Sequence, residues 1–504
     1  MRKSDISSQN LSKIALKGSA YNVMSLLVLK FGGLILTVIL ARMLLPELFG
    51  VYALAISIVT LALSFTDFGM ENTFLRYLSD STGKKDKRKS RSLASYFFKL
   101  RFVLVIAVVI ILIVSSKYLS YNIYKQPLLF YPLIFSCLFI IAESFRTLLG
   151  VFFTSRKDVK SILFFDSSSQ ILKILFSVFA ILILSDKLIV SGIFIAFFVS
   201  SFFTLLLEFF IMLKKDKSSL FGKREKVETS KMNSYWKYMA LATVSLSFFA
   251  LVDTLMLGTA ISSEYLAYYR SALSLAIAIS SLLSLSSIFL PIFTQINKKR
   301  FERGFKKTLR YLLILSIPAM VGVVFLSKYL IKAVYGNEYL LGTSSLYLLS
   351  ILIVTTPLIG LYSIILESKE KSNRVGNSVF LSLILNIILN FIVIRLFSEN
   401  PLFMIGGVSL ATSLSRLFLL GLLVFYVKKE FGFKVKGIGL RAPLCATIIM
   451  GAFLWTFNYL LDINIFLGIA EIILGVVIYL GFLILFKGAD KEDWILLKGL
   501  IKKS

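Results

Sequence analysis

The 504-residue chain contains no histidine and only two cysteines. Without histidine there is no imidazole to relay protons, ligate zinc or serve a Ser-His nucleophile. Cys137 and Cys445 lie in separate apolar runs, and their spacing suggests neither a disulfide framework nor a metal site. No resident metal and no cofactor are expected. Charged residues make up 16% of the chain and prolines number 8, which excludes a disordered or linker-rich protein. No G-x-x-x-x-G-K-[ST] loop is present, so direct nucleotide hydrolysis is not expected. The segments between apolar runs are short, and the longest, about 214–236, is too short and too charged to be an extramembrane catalytic domain. No catalytic residues are therefore proposed.

What the chain has in abundance is apolar side chain: 57% of residues are hydrophobic, and the mean hydropathy is +0.85. A soluble domain keeps more polar surface than this. A membrane span needs about 20 apolar residues. Candidate spans fall near 18–41, 49–77, 96–116, 128–152, 161–184, 188–213, 237–260, 266–293, 310–327, 342–366, 375–397, 402–427, 440–460 and 464–486. The fold class expected is an all-α polytopic membrane protein of about fourteen helices. The first 17 residues are polar and carry Arg2, Lys3, Lys13 and Lys17, and the apolar run behind them is long enough to span. A retained first helix is expected, not a cleaved signal peptide.

The net charge is +29. Nucleic-acid binding would want lysine and arginine on one soluble face. Here they cluster in alternate loops: 42 of the 56 fall in the N-terminus and in segments 84–99, 156–160, 214–237, 298–310, 369–374, 428–441 and 487–503, against 7 in the intervening loops. Positive charge is retained on the cytoplasmic side. The pattern predicts both termini in the cytoplasm, a plasma-membrane location and no nucleic-acid partner. The Lys84–Arg91 cluster is a solvated topology determinant that can also touch anionic lipid.

The chain also repeats itself. Pro46-Glu47-Leu48-Phe49-Gly50-Val51-Tyr52 pairs with the stretch from Ser263 to Tyr269, Ile171-Leu172-Lys173-Ile174 with Ile384-Leu385-Asn386-Ile387, and Ser191-Gly192-Ile193 with Gly406-Gly407-Val408. The offsets are nearly constant and the order is kept. Six spans separate the copies, which predicts a parallel repeat: an N-lobe over 1–213, a basic linker over 214–236, a C-lobe over 237–427, and two further helices over 428–504. Two such lobes suit alternating access to a site between them.

Three stretches carry a resemblance to a known family. They are Ala41-Arg42-Met43-Leu44-Leu45-Pro46-Glu47-Leu48-Phe49-Gly50-Val51-Tyr52-Ala53-Leu54-Ala55 with Asp67-Phe68-Gly69 beyond it, Val252-Asp253-Thr254-Leu255-Met256-Leu257-Gly258 continuing to Tyr268-Tyr269-Arg270-Ser271-Ala272, and Gly406-Gly407-Val408-Ser409-Leu410-Ala411-Thr412. In order, they resemble polysaccharide flippases of the multidrug/oligosaccharidyl-lipid/polysaccharide exporter superfamily. The resemblance implies two pseudo-symmetric lobes around a central cavity. It also implies a substrate, a glycan carried on a polyprenyl phosphate or diphosphate and flipped to the outer leaflet. Polymerases or glycosyltransferases would be the functional partners, and membrane lipids the surroundings.

An ionisable group at mid-bilayer costs at least about 2.5–3.5 kcal/mol and is a site candidate on that ground. Lys30, Lys173 and Arg416 fall near the middle of the first, fifth and twelfth spans, and Arg270 about one turn inside the eighth. These four are candidates for the substrate phosphate, with pairing inside the protein as the alternative. The resemblance favours Lys30 and Arg270. Asp67 and Asp253, in the family-like motifs, would coordinate a coupling ion or lock the lobes. Glu143 and Arg146, at i,i+3, can pair on their own helix. The remaining acids within spans are Asp166, Glu208 and Glu471. Asn386 and Asn390 form an i,i+4 pair suited to bonding between helices. Pro291, Pro318 and Pro357 are expected to kink their spans. The competing readings are a multidrug or toxin cation exporter of the same superfamily, a lipid II flippase, and a membrane-embedded glycan polymerase, which would need a larger external loop.

Overall fold

A computed structural model describes residues 3–216, 222, 225, 229–284, 298–369, 371–432, 439–460 and 465–488, with side chains placed from Met24 onward except at 26, 229, 298–301 and 465–466. Pro291, most of the 214–236 linker and the basic C-terminal tail lie outside the described residues. The described chain is helical: α1 (Lys3–Asp67), α2 (Met70–Gly83), α3 (Lys87–Tyr118), α4 (Phe130–Ser155), α5 (Val159–Ile183), α6 (Asp186–Asp216), α7 (Thr229–Gly258), α8 (Ser263–Leu283), α9 (Lys298–Val334), α10 (Thr343–Leu349), α11 (Leu352–Ser368), α12 (Ser372–Leu396), α13 (Pro401–Phe431), α14 (Arg441–Leu460) and α15 (Ile465–Leu485).

Twelve of these helices are long and apolar enough to cross a membrane, and the segments Asn337–Leu349 and Leu352–Ser368, bent by 46°, together make a thirteenth span. The first such stretch, Leu27–Gly83, has 57 residues, or roughly 85 Å at 1.5 Å per residue, against a hydrocarbon core of about 30 Å. It holds two crossings. Leu45, at φ 60 and ψ 165, breaks α1 into two helices. Pro46 follows directly, and its ring disfavours a helical conformation in the residue before it. The total is then fourteen, as the hydropathy pattern led one to expect. Pro318 and Pro357 lie inside α9 and α11.

The membrane assignment shows in what is exposed. Ile111 and Val114 on α3, Phe179 and Leu182 on α5 and Ile448 on α14 are all more than half exposed. Apolar surface on this scale requires hydrocarbon around it, and helices meet the demand that backbone groups be satisfied internally. The protein is a multi-pass membrane protein.

By compactness the described chain separates into two units, Met1–Arg270 with Asn390–Pro401, and Ser271–Leu389 with Leu402–Ser504. The lobe division expected at 213 and 237 rests on sequence repeat, whereas this one rests on packing, with α7 packed on α1 and α2. In the first unit a core of Met70, Phe74, Phe97, Leu148, Phe152 and Phe165 joins α2 to α5. Asp86 caps α3 by accepting the Lys89 N–H at 3.0 Å, and Asp158 caps α5 by accepting that of Ser161 at 3.3 Å. Arg156 reaches Asp216 at 2.7 Å and Lys215 reaches Asp158 at 2.5 Å, tying the α4–α5 turn to the end of α6. The second half of α1 meets the start of α8 very closely: a Cβ on Gly50 would lie 1.7 Å from the Ser263 carbonyl oxygen. In the second unit α14 and α15 pack on α9 around Met450, Leu454, Tyr479 and Leu483.

Candidate functional site

The densest set of intramembrane charges lies in the first unit. Glu143 and Arg146 are one turn apart on α4, which lets the guanidinium fork onto the carboxylate, Nε to Oε2 at 2.9 Å and Nη2 to Oε1 at 2.6 Å. From α6, Ser201 donates to Glu143 Oε2 at 2.7 Å, and Glu208 Oε1 stands 3.5 Å from Arg146 Nη1. From α5, Asp166 accepts the hydroxyl of Ser25 on α1. Lys173, two turns further along α5, holds its ammonium 5.3 Å from the Phe139 ring centre and 5.8 Å from that of Phe197, a cation–π arrangement. All these groups would be costly in hydrocarbon if alone, and the helices bring opposite signs together. A cavity of about 300 Å³ lies beside them, lined by Glu71, Arg146, Thr147, Thr154, Asp166 and Glu208 among others.

Asp67 occupies a different place, the joint between α1 and α2. Its carboxylate accepts the N–H groups of Gly69 at 3.2 Å and Glu71 at 3.0 Å, capping α2. It also accepts Arg101 Nη2 at 3.1 Å, and the same nitrogen reaches Glu71 Oε1 at 2.9 Å. The joint turns through left-handed backbone at Phe68, φ 45, and Gly69, φ 76. A Cβ on Gly69 would lie 2.5 Å from the Met239 carbonyl carbon, so only glycine fits. Trp236 on α7 donates its indole N–H to the Phe68 carbonyl at 2.7 Å.

Asp253 is buried on α7, where Tyr269 of α8 donates to it at 3.0 Å and Asn390 of α12 at 2.7 Å. One residue along, Arg270 reaches Thr254 Oγ1 at 3.3 Å. Asp253 and Arg270 therefore belong to one α7–α8 contact. Arg416 is half-buried on α13, in the second unit. Lys30 is exposed on α1. Ser25, which bonds Asp166, and Gly32, which packs on Gln170, share the side of α1 that faces α5. Lys30 is five residues from Ser25, hence about 140° around the helix from that side. Arg270 acts electrostatically on Tyr52, which meets Phe197, one of the two rings beneath Lys173, edge-on at 6.4 Å.

Two functional-looking residues escaped the sequence reading. Arg101 is the largest fully buried side chain described, at 1% exposure, and Glu71 is its second partner. The signal was present: Arg101 sits one turn inside the apolar run of the third span, like the cations that were singled out. It reads there as the edge of the basic 84–99 cluster.

The profile of a family described as polysaccharide biosynthesis protein matches residues 39–343. No curated protein matches the chain. Among solved structures, the chain is similar to a lipid II flippase MurJ in an inward closed conformation, at 19% identity and a TM-score of 0.66, over 93% of this chain and 99% of that one. It is also similar to an inward-facing multidrug resistance MATE family transporter of the MOP superfamily, at 11% identity and a TM-score of 0.64, over 82% and 98% of the two chains. A MOP superfamily transporter from Pyrococcus furiosus matches at 13% identity and a TM-score of 0.55, over 82% and 96%. At these identities the likeness is one of fold.

Proposed function

The chain belongs to the polysaccharide biosynthesis protein family, and from that premise we propose that it is a flippase for a polyprenyl-(di)phosphate-linked oligosaccharide. The lipid-linked glycan moves from the cytoplasmic to the outer leaflet by alternating access of two six-helix lobes, for synthesis of a cell-surface glycan. The observation that carries the reading is the coincidence of a polysaccharide-biosynthesis family with a transporter fold shared over nearly the whole chain. In this proposal both termini are cytoplasmic, and a polymerase or glycosyltransferase consumes the flipped product.

Lys30, Arg270, Lys173 and Arg416 are the proposed phosphate ligands, Lys30 and Arg270 foremost. Arg270 offers a guanidinium suited to bidentate phosphate contact. Asp253 is the proposed coupling-ion carboxylate, and Asp67, committed to a cap and to Arg101, the proposed lock. The membrane potential is worth about 2.3 kcal/mol per charge at 100 mV, so a dianionic diphosphate leaving a negative interior gains roughly twice that.

The test is a proteoliposome assay with a labelled polyprenyl-diphosphate oligosaccharide, scored by the fraction that a membrane-impermeant glycosidase can reach. The wild type should expose the glycan, and Lys30→Ala and Arg270→Ala should each slow exposure at least tenfold. Normal rates in both variants would remove the site assignment. An inactive wild type that instead accumulates cationic dyes would replace the flippase by a cation exporter.

A further inference from the structure

We propose that Glu208 is a proton-binding site: its carboxyl group carries a proton in this conformation and exchanges it with water through the cavity beside α4. The argument starts from what Glu208 touches. It is 1% exposed. Its Oε1 meets Arg146 only at 3.5 Å, and its Oε2 meets no protein donor within hydrogen-bonding distance. Arg146 is committed elsewhere, with two of its nitrogens on Glu143 at 2.9 and 2.6 Å. Ser201, on the same helix as Glu208, also donates to Glu143.

The charges around Glu208 do not balance without a proton. Those acting on it are Arg146 and Glu143 from α4 and Asp166 from α5. Lys173 lies further along α5 over its two aromatic rings, and Glu71 of α2 faces the same cavity. Glu71 pairs with Arg101 at 2.9 Å and is set aside; among the rest, Glu143, Asp166 and Glu208 outnumber Arg146 and Lys173, which acts on Glu143 and Asp166, by one negative charge. A buried carboxylate with an undonated oxygen is disfavoured against its neutral acid. One proton from bulk water, added at Oε2, removes the surplus and supplies the O–H that this oxygen lacks. A metal ion is the poorer occupant, because no group of three acidic side chains able to hold one occurs among the described residues.

The cavity provides the route. Arg146, Thr147, Gly150 and Thr154 line it in succession along α4, and Thr154 is exposed near the end of that helix. Its volume of about 300 Å³ is that of roughly ten waters, and its lining is polar enough to hold them. Glu208 sits at the inner end of this column.

Infrared spectroscopy of the purified full-length protein in lipid nanodiscs reads the proton directly and is independent of any transport assay. At neutral pH the wild type should show a protonated-carboxyl C=O stretch that shifts down in heavy water. The band should vanish in Glu208→Gln, move in Glu208→Asp and persist in Asp166→Asn. Filling the cavity with Gly150→Leu should slow its deuterium shift at least tenfold. A wild-type spectrum without the band overturns the proposal whether or not the variants fold. So does a band that survives Glu208→Gln or is unmoved by Glu208→Asp. An unchanged exchange rate in Gly150→Leu overturns the route. A failed flippase assay alters none of these outcomes.

Discussion

Replacing Gly50 by alanine probes a very close backbone approach between α1 and α8. The new methyl carbon would lie 1.7 Å from the Ser263 carbonyl oxygen, 2.4 Å from its carbon and 2.9 Å from the Ser263 Cα, whereas ordinary contact begins near 3.4 Å. All three atoms are backbone, so no side-chain rotation relieves the clash. The start of α8 must withdraw from the second half of α1 by about 1.7 Å. That movement would disturb the layer in which Tyr269 bonds Asp253 and Arg270 reaches Thr254. Overpacking costs about 1–3 kcal/mol, and the rigidity of the obstacle places this case at the upper end. About 3 kcal/mol is roughly a hundredfold in the folded ratio, or a fall in Tm of roughly 3 °C for a chain of 504 residues. Gly421→Ala is the control, since nothing lies within 4 Å of its Cβ position on α13. There alanine should hold or raise stability by up to about 1 kcal/mol. The assay is thermal unfolding of both variants in one detergent. A Gly50→Ala protein that melts no lower than Gly421→Ala would refute the reasoning.

Two further outcomes follow from the charges. Arg101→Met leaves Asp67 and Glu71 facing each other without their shared cation. It should destabilise by about 3 kcal/mol, and adding Asp67→Asn should recover part of the loss in a double-mutant cycle; strict additivity would count against the shared ion pair. Asp158 lies at the turn before α5, where burial would raise its carboxyl, yet Lys215 and Ser161 hold it below its ordinary value. A carboxyl lowered by folding stabilises above its unfolded pKa, and that stability is lost as pH falls through the folded value. The wild type should therefore unfold at a higher temperature than Asp158→Asn at pH 7, and the gap should close as pH falls through the lowered folded value; a gap unchanged by acid would refute this.

Much of the fold was legible because the relevant signals are local. A 20-residue apolar window can be read within a short stretch, whereas the break at Leu45 and the caps at Asp86 and Asp158 emerged only with the backbone. The Glu143–Arg146 pair was legible for the same reason, as partners one turn apart on a helix. The candidate site was less so. Arg101 escaped because its position at the edge of a basic loop resembles a topology signal, and only burial separates the two. Pairing in the bilayer crosses helices, and the count of cations and acids along the chain says nothing about which face each one takes.

The sequence by itself determined that the chain is an all-α membrane protein of about fourteen spans, since hydropathy and helix length depend on neighbours in the chain. The tertiary structure alone decided which charged and polar groups meet across helices. Arg101 reaches Asp67 across 34 residues, Arg146 reaches Glu208 across 62, and Asn390 reaches Asp253 across 137. Each contact depends on helix rotation set by packing, and rotating a span by one residue turns its side chain through about 100° without altering its hydropathy. For the same reason Glu208, one acid among several in the sequence, emerged with an undonated buried oxygen beside a cavity.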